Sequence, residues 1–231
     1  MATRFYLPGT AAATPISPTP DAAWEDTSIL ARAMTSTATI ADPMATVAFD
    51  DADVSDRDIL FRQWISEPLT AGQTITGSQA IKAQARGIEV DSLNNLFLAV
   101  GIRILNGTTV QKTVLPVTRD NTELAQIQLT NRRFTATSAV TNYTTVEGDR
   151  FVIEVGVGGD PDIGRSHDSS IRFGDAAASD LAENDTSTTD DNPWIELTDT
   201  LTFGASFDAA TVAAMQPLYN PVLDEPVMIP Y

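Results

Sequence analysis

The strongest folding signal in the sequence is an apolar run that ends at a tight-turn pair. Residues 95–105 read NLFLAVGIRIL and are nearly all apolar, which is typical of a strand buried on both faces. Asn106-Gly107 follows, and this pair is favoured in two-residue hairpin turns. The next residues, TTVQKTVLPV (108–117), supply a partner strand. This stretch therefore predicts a β-hairpin at the centre of a sheet.

Further strand-like segments, separated by turn signals, recur along the rest of the chain. They are DILFRQWIS (58–66), QAIKAQARGIEV (79–90), RFVIEVGV (150–157), SSIRFGD (169–175) and WIELTDTLTF (194–203). Many short strands with this spacing are typical of a β-sandwich, so we predict an all-β fold. Two short helices are also predicted, at TELAQIQL (122–129) and at DAATVAAMQ (208–216), where Asp208 could cap the N-terminus.

Prolines mark both ends of the chain. Between the apolar hook RFYLP (4–8) and Trp24, three prolines forbid a helix and favour an extended path. The tail PLYNPVLDEPVMIPY (217–231) carries a proline every four or five residues, with apolar residues between them. We therefore divide the chain into an N-terminal arm (1–27), a sandwich domain (28–204), and a short helix with a C-terminal arm (205–231).

Both arms are predicted to be interaction segments, held by a partner or by the domain itself, because free termini usually fray. Disordered tails are typically polar, whereas these arms are rich in apolar residues. The predicted interaction residues are Phe5, Tyr6, Leu7, Leu218, Tyr219, Val222, Leu223, Val227, Met228, Ile229 and Tyr231. We expect them to dock against neighbouring subunits.

The charge balance is strongly acidic. The chain has 31 Asp and Glu residues against 14 Lys and Arg residues, a net charge of −17, and its only lysines are Lys82 and Lys112. No cluster of bases could neutralise phosphates, so nucleic acid is not an expected partner. A chain this acidic repels itself unless salt screens the charges. A halophile's protein is the favoured interpretation, and an ordinary acidic phage or secreted protein is the alternative.

Two absences in the sequence exclude further classes. There is no cysteine, which excludes disulfides and thiolate chemistry. No apolar run approaches the roughly 18 residues of a membrane-spanning helix, so no membrane span is expected. The opening MATRFYLPGT has no apolar block and does not read as a signal peptide.

An acidic loop near the end of the predicted sandwich is the first candidate site. It reads DLAENDTSTTDDNPWIEL (180–197) and lacks the residue order and the glycine of an EF-hand. Three of its carboxylates, Asp185, Asp190 and Asp191, are candidate ligands for Ca²⁺. The alternatives are a solvated loop, which is favoured, and a loop that faces a partner. Apart from such a calcium ion, no cofactor is expected.

Catalytic patterns are weak. His167 is the only histidine and lies beside Asp168 and several serines, but no G-x-S-x-G elbow accompanies it, so it is interpreted as a loop residue. Glycoside hydrolysis needs only two carboxylates at a set separation, and Glu89 and Glu154 are the candidates that lie in strand-like segments. Because the chain has 31 acidic residues, some pair of carboxylates will always have a suitable separation, so this signal is weak. The sequence therefore predicts no enzyme activity.

Several patches together resemble a family of virion structural proteins of tailed, phage-type viruses. The patches are RFYLP (4–8), ILFRQWISEPLTAGQTITG (59–77), ELAQIQLTNRRFTA (123–136), VEGDRFVIEVGV (146–157), and RFGD (172–175) with DLAENDTSTTDDNPWIELTDTLTF (180–203). The resemblance covers residues 3–203 and contains no catalytic motif. It implies a jelly-roll-like β-sandwich without enzyme activity, and the acidic composition then suggests a virus of a halophilic archaeon.

The resemblance and the arms predict a virion structural protein, exposed on the particle surface after assembly in the host cytoplasm. A capsid-surface decoration or turret component is favoured over a tail or baseplate component. The expected partners are copies of the chain and other virion proteins, either major capsid or tail proteins, with host surface glycan as a further partner. A carbohydrate-binding adhesin module is the other alternative, and it requires two of Trp24, Trp64 and Trp194 to be exposed and coplanar.

Overall fold

The computed structural model describes residues 2–10, 14–37, 42–159, 166–177 and 179–204. Within these ranges the chain forms thirteen strands and no helix. The strands are β1 (Thr3–Tyr6), β2 (Ala31–Met34), β3 (Ala45–Phe49), β4 (Arg57–Ile65), β5 (Thr74–Ile75), β6 (Ala80–Glu89), β7 (Leu96–Asn106), β8 (Thr109–Glu123), β9 (Thr130–Thr137), β10 (Tyr143–Thr144), β11 (Asp149–Gly159), β12 (Ser169–Phe173) and β13 (Trp194–Leu197).

Two large sheets form the sandwich. In sheet one the order is β1-β13-β6-β12-β3, and β9 pairs with the other side of β6. In sheet two the order is β2-β4-β11-β7-β8, and β5 and β10 form a separate two-stranded ribbon. Neighbouring strands are antiparallel except for β2 and β4. The predicted all-β sandwich is confirmed.

The core lies between the two sheets. The Phe5 ring of sheet one lies 5.3 Å from the Phe151 ring of sheet two, and the Trp64 ring of sheet two lies 4.7 Å from the Phe173 ring of sheet one, measured between ring centroids. Such tilted aromatic pairs add to the free energy gained from burial alone. These contacts set the distance between the two sheets and show which faces pack against each other.

The central hairpin predicted from the sequence is confirmed. Strand β7 lies between β11 and β8, and Asn106 pairs with Thr109 across the turn, where Gly107 has a φ of 57°. The inward side chains of β7 enter the main core, while Ala99 and Leu105 pack on the outer face of the sheet under the N-terminal segment. Burial on both faces explains why the sequence of β7 is almost continuously apolar.

The helix predicted at residues 122–129 is wrong. Thr122 and Glu123 end strand β8, and residues 124–129 form an irregular connection to β9. The Leu124 amide donates to the carbonyl of Leu96, which continues the contact of this segment with β7. Strand pairing over a long edge therefore overrides the local helical pattern. The helix predicted at 208–216 and the whole C-terminal arm lie outside the described residues.

The expected docking role of Phe5, Tyr6 and Leu7 is corrected. Residues 3–6 form β1, which pairs with β13 in sheet one, and all three side chains are buried within the chain itself. Phe5 and Leu7 belong to the main core. Because these apolar side chains are already covered, a neighbouring subunit cannot bury them without unfolding the edge of the sheet.

The rest of the N-terminal arm forms a strap, residues 14–24, over the outer face of sheet two. Ile16 packs against Ile65, Leu105 and Val152, and Trp24 packs in a second cluster with Leu60 and Ala99 on the same face. Of the two alternatives for this arm, the structure shows that the domain itself holds it.

Candidate functional site

The acidic loop, residues 180–191, lies along the outer face of sheet one. On β6 the inward residues enter the core, and the outward residues Lys82, Gln84 and Arg86 face the loop. Lys82 forms an ion pair with Glu183 at 2.5 Å, and Arg86 pairs with Asp190. With its amide turned to satisfy both atoms, Gln84 bonds to the loop backbone. One strand therefore binds the loop along its length.

Strands beside β6 supply further partners for the loop. Arg4 of β1 lies 3.0 Å from Asp180, and Arg172 of β12 lies 3.2 Å from Asp190. Asn131 of β9 donates to the Asp185 carboxylate at 2.9 Å. The favoured interpretation as a solvated loop is thus incomplete, because several carboxylates of this loop are bound by side chains of the sheet. The loop closes the outer face of sheet one.

The three calcium candidates have different surroundings. The Asp190 carboxylate faces two arginines, and a bound cation would have to displace them. The Asp185 carboxylate accepts hydrogen bonds from the Ser187 amide and from Asn131, and these bonds lower its pKa. Burial and nearby carboxylates raise the pKa of Asp191. No group of three or more metal-ligating side chains occurs in the described part of the chain.

Glu154 is the most completely bound carboxylate described. It lies on β11 beneath the strap and is 0% exposed. It accepts hydrogen bonds from Arg103 (2.5 Å), Gln63 (2.8 Å), the Trp24 indole (3.0 Å) and the Asp21 amide (3.2 Å). Its carboxylate therefore fixes the strap to sheet two, and a substrate could reach it only if the strap moved away.

Glu89, the other candidate carboxylate, lies at the end of β6 in sheet one. Its carboxylate accepts a hydrogen bond from the Leu96 amide at 3.1 Å. Burial, together with the neighbouring carboxyl of Glu123, raises the pKa of Glu89 to about 7. The carboxyl group beside Glu89 is thus that of Glu123. The structure does not bring the two candidate carboxylates Glu89 and Glu154 together, because Glu154 lies under the strap on the outer face of the other sheet.

We expect the variant Glu89→Gln to be more stable than the parent above neutral pH. The folded protein raises this pKa from 4.5 to about 7, so folding is penalised as soon as the unfolded chain ionises Glu89. The penalty grows as pH rises from about 4.5 to about 7, and removing it should add about 1–3 kcal/mol at pH 8. Urea unfolding at about pH 4 and about pH 8 measures both values.

The matched control is Glu147→Gln, which removes the same charge from an exposed side chain. It should change the unfolding free energy by less than about 0.5 kcal/mol at either pH. At about pH 4 Glu89 is neutral in the parent, so the substitution has no buried charge to remove. A gain in unfolding free energy that is the same at both pH values would therefore contradict the assigned cause.

His167 is buried, and its surroundings do not form a catalytic triad. Its backbone amide donates to Asp51 at 3.0 Å, and the hydroxyl of Ser169 donates to the His167 carbonyl and not to the ring. Burial and the nearby Arg57 lower the pKa of His167, so the ring is neutral at pH 7. The side chain is fully covered, and its Nδ1 atom lies 3.6 Å from the Asp51 carboxylate.

The tryptophan condition for a glycan-binding platform is not met. Trp24, Trp64 and Trp194 are 5%, 0% and 0% exposed, respectively. Each fills a buried position, and Arg4 stacks over the Trp194 ring at 3.8 Å from its centroid. These side chains therefore stabilise the fold and offer no aromatic surface to a sugar.

Sequence reasoning missed a group of exposed apolar side chains at one end of the sandwich, which we name the loop end. It comprises residues 50–54, 89–95, 124–129 and 166–168, held side by side by backbone bonds such as Val90 to Asp168 at 2.9 Å and Glu89 to Ala125 at 3.1 Å. Ile127 is 91% exposed and Val90 is 62% exposed, and Val54 and Leu93 are also exposed. The predicted helix at 122–129 concealed this role of Ile127.

A groove lies at the opposite end, which we name the groove end (residues 66–71, 106–109, 143–150 and 199–204). Its volume is about 430 Å³, and its lining includes Pro68, Leu69, Ala71, Gly148, Arg150 and Gly204. Val146, beside the groove lining, is exposed as well. Exposed apolar side chains thus lie at both ends of the sandwich.

Comparisons with known proteins give similarity of fold only. No family model matches the chain, and no curated protein matches it. Two crystal structures of a CocE/NonD family hydrolase from Staphylococcus aureus are 10% identical, with TM-scores of 0.42 and 0.41. The match covers 86% and 85% of this chain but 36% of the hydrolase, so the chain spans about a third of that protein.

Capsid proteins are among the other similar structures. The VP2 subviral particle of infectious bursal disease virus is 11% identical with a TM-score of 0.26, and the match covers 69% of this chain and 42% of VP2. The T13 particle of the same virus is 12% identical with a TM-score of 0.24, covering 74% and 44%.

The sequence-based prediction that the chain is not an enzyme is corrected by these comparisons. The structures that match over most of this chain include the hydrolase, so a likeness to virion proteins does not exclude enzyme activity. At 10% identity the hydrolase likeness assigns no catalytic residue to this chain.

Within the described residues, no helix is long and apolar enough to cross a membrane.

Proposed function

We propose that the chain is a structural subunit of a virus particle that assembles through the ends of its sandwich. The observation that carries the proposal is where apolar side chains remain exposed. The strap covers the outer face of sheet two, and the acidic loop covers that of sheet one. The exposed apolar residues Ile127, Val90 and Val146 lie at the two ends instead. The resemblance of residues 3–203 to virion structural proteins supports the same role.

The favoured position in the particle is the capsid surface, as a decoration or turret component, with a tail or baseplate position as the alternative. In either position, the partners would be major capsid or tail proteins and further copies of the chain. An outward-facing end could also contact host surface glycan. The acidic, lysine-poor composition supports a virus of a halophilic archaeon, because such a surface stays soluble where salt screens it.

The C-terminal arm is proposed to link the subunits. Its apolar residues Leu218, Leu223, Val227 and Ile229 are separated by prolines, which disfavour a helix. Burying such side chains on a neighbour contributes about 25 cal/mol per Å² of apolar surface. Symmetry repeats the same weak contact at each subunit, so the assembly is more stable than one contact alone.

We expect deletion of residues 217–231 to leave the sandwich folded and to abolish oligomer formation. The thirteen strands all lie before residue 205, so the melting temperature should change by less than about 3 °C. Light scattering on the peak that elutes from size exclusion, in high and low salt, measures the oligomer. A discrete trimer, pentamer or hexamer is expected for the full chain.

A variant of equal length separates the apolar contacts from the length of the tail. Leu218→Ser, Leu223→Ser, Val227→Ser and Ile229→Ser keep the charge and the prolines, and together they should have the same effect as the deletion. A deleted chain that elutes with an unchanged oligomer mass would remove the linking role of the arm. A full chain that is monomeric in both salts would remove the assembly proposal itself.

A further inference from the structure

The groove at the groove end has walls that the fold holds in place. The Leu69 amide donates to the Asp149 carbonyl at 2.7 Å, and the Gly204 amide donates to the Pro68 carbonyl at 2.8 Å. A β-bridge between Leu69 and Phe203 also joins residues 66–71 to residues 199–204. The groove is therefore a preformed feature, and its volume of about 430 Å³ lies within the range of ligand-binding clefts.

The lining of the groove combines apolar surface with two charged side chains, Arg150 and Glu147. Leu69, Pro68 and Ala71 supply apolar surface, and Arg150 lies at the side. The Arg150 guanidinium donates to the Ser66 carbonyl at 2.6 Å and forms no ion pair within the described part of the chain. Most other arginines described are paired with carboxylates. An apolar segment is complementary to the apolar part of this lining, and Arg150 is the lining group that can receive an acidic side chain.

The C-terminal arm has that chemistry. Its apolar residues flank the acidic pair Asp224-Glu225, and its prolines disfavour a helix. The described chain ends on the wall of the groove at Gly204, and 12 residues (205–216) separate it from Pro217. Such a connection can extend up to about 40 Å, which is enough to reach a neighbouring subunit.

We propose that the groove of one copy binds residues 217–231 of a second copy, with the Asp224-Glu225 pair against Arg150. The inference rests on the proposed linking role of the arm and adds the surface that receives it. A groove and a complementary tail on the same chain make a head-to-tail contact. Repeated contacts of this kind close into a ring when the rotation between subunits permits.

Disulfide trapping tests the contact directly, because the chain has no cysteine of its own. The double variant Ala71→Cys with Leu223→Cys places one thiol on the groove and one on the arm. Under mild oxidation we expect disulfide-linked multimers of the full chain on a non-reducing gel. The matched control, Val90→Cys with Leu223→Cys, moves the first thiol to the exposed loop end and should stay largely unlinked.

Mixing the two single variants shows which copy supplies the arm. Chains with Ala71→Cys and chains with Leu223→Cys should form mixed dimers linked through one disulfide. A link that forms only within the double variant's own chain would overturn the proposal in favour of the chain's own tail. If the full chain forms oligomers but neither disulfide appears, the groove is not the surface that binds the arm, and the proposed assembly role still holds. A monomeric full chain would remove both.

Arg150→Gln tests the charge contact. It should raise the dissociation constant of the oligomer about tenfold, which is the effect of losing one charge-assisted hydrogen bond. Lys112→Gln removes the same charge from the edge strand β8 and should leave the dissociation constant unchanged. Equal effects of the two variants would show that net charge alone acts, and would overturn the role of Arg150.

Discussion

Replacing Glu154 by alanine is expected to lower the free energy of unfolding by about 3–5 kcal/mol, since the buried Arg103 loses its closest carboxylate and keeps only Asp21 at 3.7 Å. Arg103 is 5% exposed and lies 2.5 Å from Glu154. The truncation also removes the acceptor for the Trp24 indole and for Gln63. Each buried donor left without a partner adds its own cost of desolvation.

The strap gives this prediction a second observable. Trp24 packs on the outer face of sheet two, and Glu154 is its hydrogen-bond acceptor. In Glu154→Ala the strap should detach before the sandwich unfolds, so tryptophan fluorescence should change at a lower urea concentration than the far-ultraviolet circular dichroism. In the parent, both signals should change together.

Glu183→Ala is the matched control for Glu154→Ala. Glu183 also pairs with a base at 2.5 Å, but both partners are exposed, so its loss should cost no more than about 1 kcal/mol. Adding Arg103→Ala to Glu154→Ala should cost less than the sum of the two single variants, because the pair is lost once. A cost for Glu154→Ala below that of the control would show that the carboxylate does not hold the strap.

The strands could be predicted from sequence because their signals are local. Alternation on β6 placed Lys82, Gln84 and Arg86 on one face, and the Asn106-Gly107 pair located the central hairpin. The binding of the acidic loop could not be predicted in the same way. Its partners Arg86 and Arg172 lie on other strands, and only the order of the strands brings them to Asp190.

The two sequence-based errors in the fold have the same origin. Phe5 pairs with Ile195, which is far from it in the sequence. No residue close to Phe5 in the sequence therefore indicates that the hook is a strand of sheet one. The segment 122–129 has a helical pattern, but its first residues extend the ladder of β8 on β7. In both cases a distant strand decides the conformation, and local propensity is a weak guide where pairing of this kind is available.

The strap was partly predictable. The prolines between the hook and Trp24 correctly indicated an extended path over another surface. The surface itself could not be identified, because the outward face of β4, β7 and β11 mixes apolar residues such as Leu60 and Leu105 with polar residues such as Gln63 and Arg103. In β11 Glu154 lies between apolar residues, and a carboxylate in the middle of such a strand is the signal that could have indicated a polar clamp.

Raising the salt concentration from about 0.1 M to about 1 M is expected to raise the melting temperature by roughly 5–10 °C. With 31 acids against 14 bases, the folded chain holds a net charge of −17 in a small volume. Many of the described bases are already committed to ion pairs, including Arg4, Arg86 and Arg119. The remaining carboxylates repel one another, and the shorter screening length at high salt reduces this repulsion.

Screening also weakens the surface ion pairs, which acts in the opposite direction. Exposed pairs contribute about 0–1 kcal/mol each, and buried pairs such as Arg103 with Glu154 are screened much less, so the relief of repulsion is the larger effect. Sodium chloride is the appropriate salt, because sulfate strengthens apolar burial in any protein. Repeating the melts near pH 4, where many carboxylates are protonated, should reduce the dependence on salt. Equal melting temperatures in low and high salt at neutral pH would contradict the proposed halophilic origin, since they would show that repulsion between the carboxylates does not destabilise the fold.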